Sequence, residues 1–355
     1  MTARLIILAA GGTGGHIFPA EALARELLQR GCRVALVTDR RGQAFGDRLP
    51  GVTLHRIRAG RLGAGLFDKV TALAVTAFGT IEAARLLRSL APAAAVGFGG
   101  YPSVPTMLAA TRLGLPTLLH EQNARLGRAN RLIAARVRRI ATSFPEVSGL
   151  RPTDRDRVRE TGNPVRPAVA ALSGAAYLPP AGETPVALLV TGGSQGARIL
   201  SAVVPAALAQ LPPALRRRLI VMQQARPEDV ETVRRTHAAN GVAAEVAAFF
   251  DDIPARLARA QLVICRAGAS TVAELTVVGR PAILVPYRHA AEDHQTANAR
   301  AIAAAGAAWM MDETAFTPTL LAERLATLLA AQAQLTSAAA AAQRLGRPDA
   351  AARLA

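Results

Sequence analysis

The chain has 355 residues, of which 51% are hydrophobic and 4% aromatic, and its formal net charge is +17. That length predicts two domains, and the apolar share excludes a disordered chain. The charge invites a nucleic-acid or anionic-membrane reading, but Lys69 is the single lysine among 42 basic residues, the arginines are scattered, and no RNA motif or helix-turn-helix pattern stands out. No nucleic acid is expected as a partner, and attraction to an acidic surface is kept.

The chain opens with "RLIILA" and runs into "GGTGGH". An amphipathic helix is predicted from Pro19 to Arg30, with proline in its first turn, Leu23 and Leu27 one turn apart and Gly31 as its stop. Further strands are read at "RVALVT", "TLHRI", "AAAVGF", "TLLH" and "RRIAT". Strand–helix alternation implies a parallel sheet covered on both faces. "LIILAA" is too short for a signal sequence, and no run reaches the ~18 uninterrupted apolar residues that span a bilayer, so the protein is expected on the cytoplasmic side. Cys32 and Cys265 lack metal-ligand spacing and read as reduced core thiols.

Near residue 162 a Pro-, Gly- and Ala-rich stretch reads as a domain junction. The opening formula then returns as "VALLVTGGSQGARIL", followed by strands at "RLIVMQ", "LVICRAG" and "AILVPY". The expected organisation is two similar α/β domains facing a central cleft, residues 1–164 and 165–337. A C-terminal helix at about 338–355 is expected to pack back on the first.

The first glycine loop lacks the Gly-Lys-Ser/Thr of a P-loop. It also departs from the dinucleotide fingerprint, since Gly12 and Gly14 fit but Ile17 takes the last place. Asp39, at the end of the second strand, keeps a dehydrogenase reading open. His16 follows the glycines at the ligand end of a strand, where an imidazole could take a proton from an attacking hydroxyl. "HEQN" sets His120, Glu121, Gln122 and Asn123 after a buried strand and suits recognition of sugar hydroxyl and amide groups.

"TGGSQGAR" puts Ser194 at a helix start, a ready anion site, and "TGNPVR" supplies Arg166, either a phosphate clamp or a salt bridge of the domain junction. In "CRAGASTVAEL", Gly268, Ala269, Ser270 and Thr271 open another helix, with Glu274 one turn in, where a carboxylate could accept from ribose hydroxyls. "EDHQTANA" offers His294, Gln295 and Asn298. No Asp-x-Asp metal motif appears.

"GGTGGH", "GGY" (99–101), "HEQN", "TGNPVR", "GGSQGAR", "RAGAST" with Glu274, and "DHQTANA" occur in order as far as about residue 310. Together they resemble the MurG family, membrane-associated N-acetylglucosaminyltransferases of peptidoglycan synthesis with the GT-B fold. The resemblance implies donor contacts from Thr13, Gly14, Gly15, Asn123, Arg166, Ser194, Ile253, the turn of Gly268, Ala269, Ser270, Thr271, Val272 and Ala273, Glu274, and Gln295 in preference to His294.

The resemblance also places His16 near the acceptor, consistent with a catalytic base, and implies no metal and no cofactor. The implied substrates are UDP-GlcNAc and lipid I (undecaprenyl-pyrophosphoryl-MurNAc-pentapeptide), converted to lipid II with inversion. The implied location is the cytoplasmic face of the inner membrane, with an anionic leaflet and cell-wall synthesis proteins as partners. The rivals are a UDP-sugar 2-epimerase or another GT-B glycolipid synthase, the dehydrogenase, and a non-enzymatic basic adaptor.

Overall fold

The computed structural model describes residues 3–11, 14–39, 49–60, 65–193 and 196–355, apart from the side chains of 66–69. Thr13 and Ser194, with Gly12 and Arg61, therefore lie outside the described residues, as do the side chains of Leu66, Phe67 and Lys69. The chain divides into two compact units, residues 1–166 with 349–355, and residues 167–348.

The first unit holds a seven-stranded parallel sheet: β1 (Leu5–Ala9), β2 (Arg33–Thr38), β3 (Val52–Arg56), β4 (Ala94–Gly97), β5 (Thr117–Glu121), β6 (Arg139–Thr142) and β7 (Val158–Glu160). Their spatial order is β3-β2-β1-β4-β5-β6-β7. The period-two alternation of a strand sorts β1 between two cores. Leu5, Ile7 and Ala9 pack toward α2 (Leu66–Leu90), α3 (Ser103–Arg112) and α4 (Arg128–Ala134), and Leu8 packs with α1 (Gly14–Gln29). Chain order breaks between β1 and β4, so the segments leaving them part to opposite faces. That switch point is where an open α/β sheet receives its ligand.

Helix α1 starts at Gly14, earlier than the predicted Pro19, so Pro19 stands inside the helix and not in its first turn. Proline has no N–H to give the Gly15 carbonyl, and its ring presses on that carbonyl. Gly15, whose added Cβ would meet nothing within 4 Å, gives the turn room to adjust. Gly31, at φ +76°, stops the chain just past the helix as expected.

Helix α2 links β3 to β4 of one sheet. It buries Ala72, Ala83 and Leu87, and Gly79 lets it lie against the Arg58 carbonyl, where a Cβ would come within 1.9 Å. Its other face leaves Val70, Leu73, Phe78 and Ile81 between 50% and 71% exposed. By length and composition Val70–Leu90 would suffice to cross a membrane. Its packing on α3 and the return of both ends to one sheet make it a surface helix of this unit.

The second unit repeats the plan with β8 (Val186–Thr191), β9 (Leu219–Gln224), β10 (Ala243–Ala247), β11 (Leu262–Cys265), β12 (Ala282–Leu284) and β13 (Ala308–Met310), all parallel, in the order β10-β9-β8-β11-β12-β13. The helices are α5 (Pro167–Ala170), α6 (Arg198–Ala209), α7 (Pro213–Arg218), α8 (Val230–Ala239), α9 (Ile253–Arg259), α10 (Ala269–Val278), α11 (His294–Ala304), α12 (Pro318–Ala330) and α13 (Gln332–Leu345). Val186, Leu188 and Val190 of β8 pack against α6 and α12 in one core. The switch point here lies between β8 and β11.

The chain rejoins the first unit at Asp349, later than the expected 338. Helix α13 stays with the second unit because it closes on α10: a Cβ on Gly346 would stand 2.6 Å from the Thr276 carbonyl. The last helix, Ala350–Leu354, packs on α1.

Candidate active site

In the first unit "GGTGGH" leaves β1 and "FGGY" leaves β4, so both motifs stand at the switch point. The Gly11 N–H donates to the Gly99 carbonyl at 3.0 Å. A Cβ on Gly100 (φ +75°) would come within 2.8 Å of the Gly11 Cα and 3.2 Å of the His16 Cδ2. Glycine is required here because backbone lies against backbone and against one edge of the imidazole. His16 is half-buried, in the first turn of α1, with Nδ1 3.2 Å from the Gln122 Oε1. Gly14 is partly covered by the Phe18 ring, and Gly15 is exposed.

The "HEQN" residues do not all face a ligand, as sugar recognition would need. His120, Glu121 and Gln122 are buried to within 1% of full and bound internally. The Glu121 carboxylate accepts from the Asn123 N–H (3.0 Å) and Nδ2 (3.1 Å) on one oxygen, and from the Gly127 N–H (2.9 Å) and Asn130 Nδ2 (2.7 Å) on the other. It ties the loop 121–130 into one shape. His120 packs at a tilt against the Phe98 ring and bonds the Gly162 carbonyl of "TGNPVR" at 3.0 Å. Burial pushes its pKa down to about 4, against the opposing pull of that carbonyl. Asn123, half-buried, remains the member at the loop's outer side. Arg166 is the last residue before α5 and is half-buried.

In the second unit "GGSQGA" leaves β8 and "RAGAS" leaves β11, again at the switch point. Gly268 caps α10 in extended conformation, and its first turn is Ala269, Ser270, Thr271 and Val272. The Ser270 Oγ is buried without a hydrogen-bond partner, an orphan hydroxyl at a helix N-terminus whose dipole favours an anion. Ala273 and Glu274 follow half-buried on α10, and Ile253 opens α9.

The "DHQTANA" residues separate by environment. The Gln295 Oε1 accepts from the Tyr287 N–H at 3.0 Å, which leaves its amide NH2 group to donate. The His294 Nδ1 stands 2.7 Å from the Ala291 carbonyl, inside its own turn. Asn298, fully buried, donates to the Ala267 carbonyl and so anchors the turn before α10. Glu292 and Asp293 hold φ of +55° and +57°, a strained pair just before this helix.

Sequence reasoning missed a support under this loop. Arg266 donates to the Val285 and Pro286 carbonyls and pairs with Glu313 at 3.1 Å, while Glu313 also accepts from the Arg288 N–H. Burial works against the Glu313 charge, but Arg266 and the Arg288 amide outweigh it and hold the carboxyl below its ordinary range. The available signal was an arginine directly after an apolar strand, in "CRAG". Among the described residues, no group of three or more His, Cys, Asp or Glu side chains is placed to hold a metal ion.

The glycosyltransferase family 28 N-terminal domain matches residues 6–142, and the family's C-terminal domain matches residues 187–354. A Rhodospirillum centenum protein named UDP-N-acetylglucosamine--N-acetylmuramyl-(pentapeptide) pyrophosphoryl-undecaprenol N-acetylglucosamine transferase is 59% identical over 100% of this chain and 94% of its own. Among solved structures, Acinetobacter baumannii MurG superposes with a TM-score of 0.80 at 31% identity, covering 99% of this chain and 98% of that one. The calicheamicin glycosyltransferase CalG4 shares the fold alone, at a TM-score of 0.65, 17% identity, and coverage of 98% and 94%. Two parallel-sheet units of one strand order, each with a glycine loop at its switch point, are the GT-B fold, and the chain belongs to glycosyltransferase family 28, among its MurG enzymes.

Proposed function

We propose that the chain transfers N-acetylglucosamine from UDP-GlcNAc to the muramic 4-hydroxyl of lipid I, giving lipid II with inversion. The observation that carries this reading is the position of "GGTGGH" and "RAGAST", each at the switch point of its own sheet. It gains its substrates from the name of the relative that is 59% identical over the whole chain. His16 takes the proton of the 4-hydroxyl as its oxygen bonds the anomeric carbon and the bond to UDP breaks.

Charge grows on the departing diphosphate, and the Ser270 hydroxyl, the N–H groups of 268–273 and Arg166 answer it in place of a divalent ion. Glu274 accepts from the ribose hydroxyls, and Gln295 and Asn123 donate to the sugar. Ile253, Gly14 and Gly15 approach the donor by backbone, and Thr13 and Ser194 complete the set by motif.

The acceptor is lipid-linked, so the enzyme works at a membrane surface as a peripheral protein of the cytoplasmic face. Val70, Leu73, Phe78 and Ile81 form one apolar stripe on α2, and Arg85 and Arg88 follow it near the end of the helix. With a net charge of +17, this face suits an anionic leaflet, where each basic residue contributes about 1 kcal/mol.

The deciding experiment is incubation with UDP-GlcNAc and a lipid I analogue. UDP release should require both, and His16→Ala should lower turnover by about two to four orders of magnitude while donor affinity moves little. UDP release from the donor alone would favour the 2-epimerase reading and overturn this one.

A further inference from the structure

A base needs its lone pair on the nitrogen that meets the proton, and a neutral imidazole carries that pair on either of two atoms. Three motifs settle which atom it is here. Gln122 is 1% exposed, and its amide nitrogen donates to the carbonyls of Phe98 at 3.0 Å and His120 at 3.1 Å. Carbonyl oxygens only accept, so the amide cannot be turned over and its oxygen must face His16. An amide oxygen also only accepts, so at 3.2 Å the His16 Nδ1 is the donor and carries the hydrogen. The lone pair then lies on Nε2.

The amide is itself held from behind. The His120 Nε2 stands 3.0 Å from the Gly162 carbonyl, which only accepts, so Nε2 bears the hydrogen and Nδ1 is an acceptor 3.0 Å from the Gln122 amide nitrogen, sharing one of its two hydrogens with the His120 carbonyl. A second proton on His120 would set Nδ1–H against the amide NH2 group. Full burial, which brings its pKa to about 4, keeps that proton off across the neutral range. "TGNPVR", "HEQN" and "GGTGGH" are thus joined by one directed chain: Gly162 fixes His120, His120 fixes Gln122, and Gln122 fixes His16.

We propose that Gln122 is a positioning residue that holds His16 in its Nδ1–H tautomer, with His120 fixing the amide, so that Nε2 is the atom that takes the acceptor's proton. The proposal rests on the reading of His16 as the base. In the transfer step the hydroxyl proton moves to Nε2, the oxygen's electron pair forms the glycosidic bond, and UDP leaves with the pair of the broken bond. Nδ1–H stays bonded to the neutral Gln122 oxygen throughout. A neutral acceptor orients the ring without adding a charge that would stabilise the imidazolium, so the base can release its proton after each turnover.

The test is the 15N spectrum of the imidazoles in the intact wild-type enzyme above their titration range. With six histidines in the chain, subtraction of a His16→Ala spectrum assigns His16. The expected form is Nδ1–H, against the Nε2–H form that imidazole side chains favour in water. Gln122→Met, of similar length and with only a weakly accepting thioether in place of the amide oxygen, should return His16 toward Nε2–H. It should lower kcat by about one to two orders of magnitude, less than the roughly four orders lost when a wrong tautomer is imposed, with the donor KM little changed.

An Nε2–H form of His16 in the wild type overturns the proposal by itself, whether or not Gln122→Met folds. A folded Gln122→Met with wild-type kcat also overturns it. If His16→Ala keeps its turnover while wild-type His16 is Nδ1–H, the base assignment falls and the tautomer assignment stands.

Discussion

Glu121→Gln removes one oxygen from a carboxylate that accepts four hydrogen bonds, two on each side. Whichever way the new amide settles, its NH2 end meets two donors, either those of Asn123 or those of Gly127 and Asn130. Two bonds to a charged acceptor are lost, at about 1.5–3 kcal/mol each. Relief of the buried charge offsets part of this sum, which leaves about 3–4 kcal/mol. For a unit of this size each kcal/mol moves the melting temperature by about 2–4 °C, so the shift should be roughly 6–15 °C downward. Calorimetry is the assay, because the single tryptophan, Trp309, lies in the second unit and its fluorescence reports that unit. A Glu121→Gln enzyme melting within about 2 °C of wild type would refute the assignment of Glu121 as the clasp of the loop.

Acid should destabilise the fold in two windows. His120 and His237 sit at about 4 instead of 6.5 because burial disfavours their charge, so the unfolded chain binds more protons between those values. Their contribution is complete above pH 6.5 and is lost toward pH 4, up to about 3 kcal/mol each. Asp154, bonded by Arg151 and lowered from 3.8 to about 2, adds a second loss between pH 4 and 2, about 1–2 kcal/mol after solvent screening; a urea midpoint that stays flat from pH 6.5 to 4.5 would contradict the first window. Glu274→Ala should weaken uridine and UDP binding alike by about 1.5–3 kcal/mol, read by calorimetric titration, with the melting temperature nearly unchanged. Leu73→Ser with Phe78→Ser, both on the exposed stripe of α2, should reduce binding to anionic vesicles by about tenfold or more while sparing UDP affinity and melting; unchanged vesicle binding would move the membrane contact elsewhere.

Sequence reading found mostly strands with apolar runs buried on both faces, such as β1, β2, β8 and β11, together with the edge strand β3, which has no buried residue. It missed β7, β10 and β13, which stand at the edges of their sheets. "VRE" and "AAEVA" have half-exposed patterns and carry no continuous apolar signal. The glycine loops were legible because bare backbone after a strand has few other uses. The inward turn of "HEQN" was not, because the partners that absorb it are main-chain carbonyls of Phe98 and Gly162, remote in sequence and silent in composition. The apolar positions of α2 could be counted in advance, but which of them face solvent depends on Ala72, Ala83 and Leu87 meeting the core.

The return of residues 349–355 to the first unit has a consequence for how the protein is made. Residues 167–348 are, in chain terms, an insertion within the first unit. Leu354 belongs to the same core as Leu8, Ile17, Leu23 and Leu27. Arg30 donates to the Ala352 carbonyl, and Arg353 to that of Glu160. On the ribosome, β1 to β7 emerge first but lack this closing helix until the whole second unit has been synthesised, a wait of roughly 10–40 s at ordinary elongation rates. The second unit, continuous in sequence, is itself complete only seven residues earlier. The unit that begins synthesis therefore cannot close until the other has been made, and its α1 face stays without its cover until then.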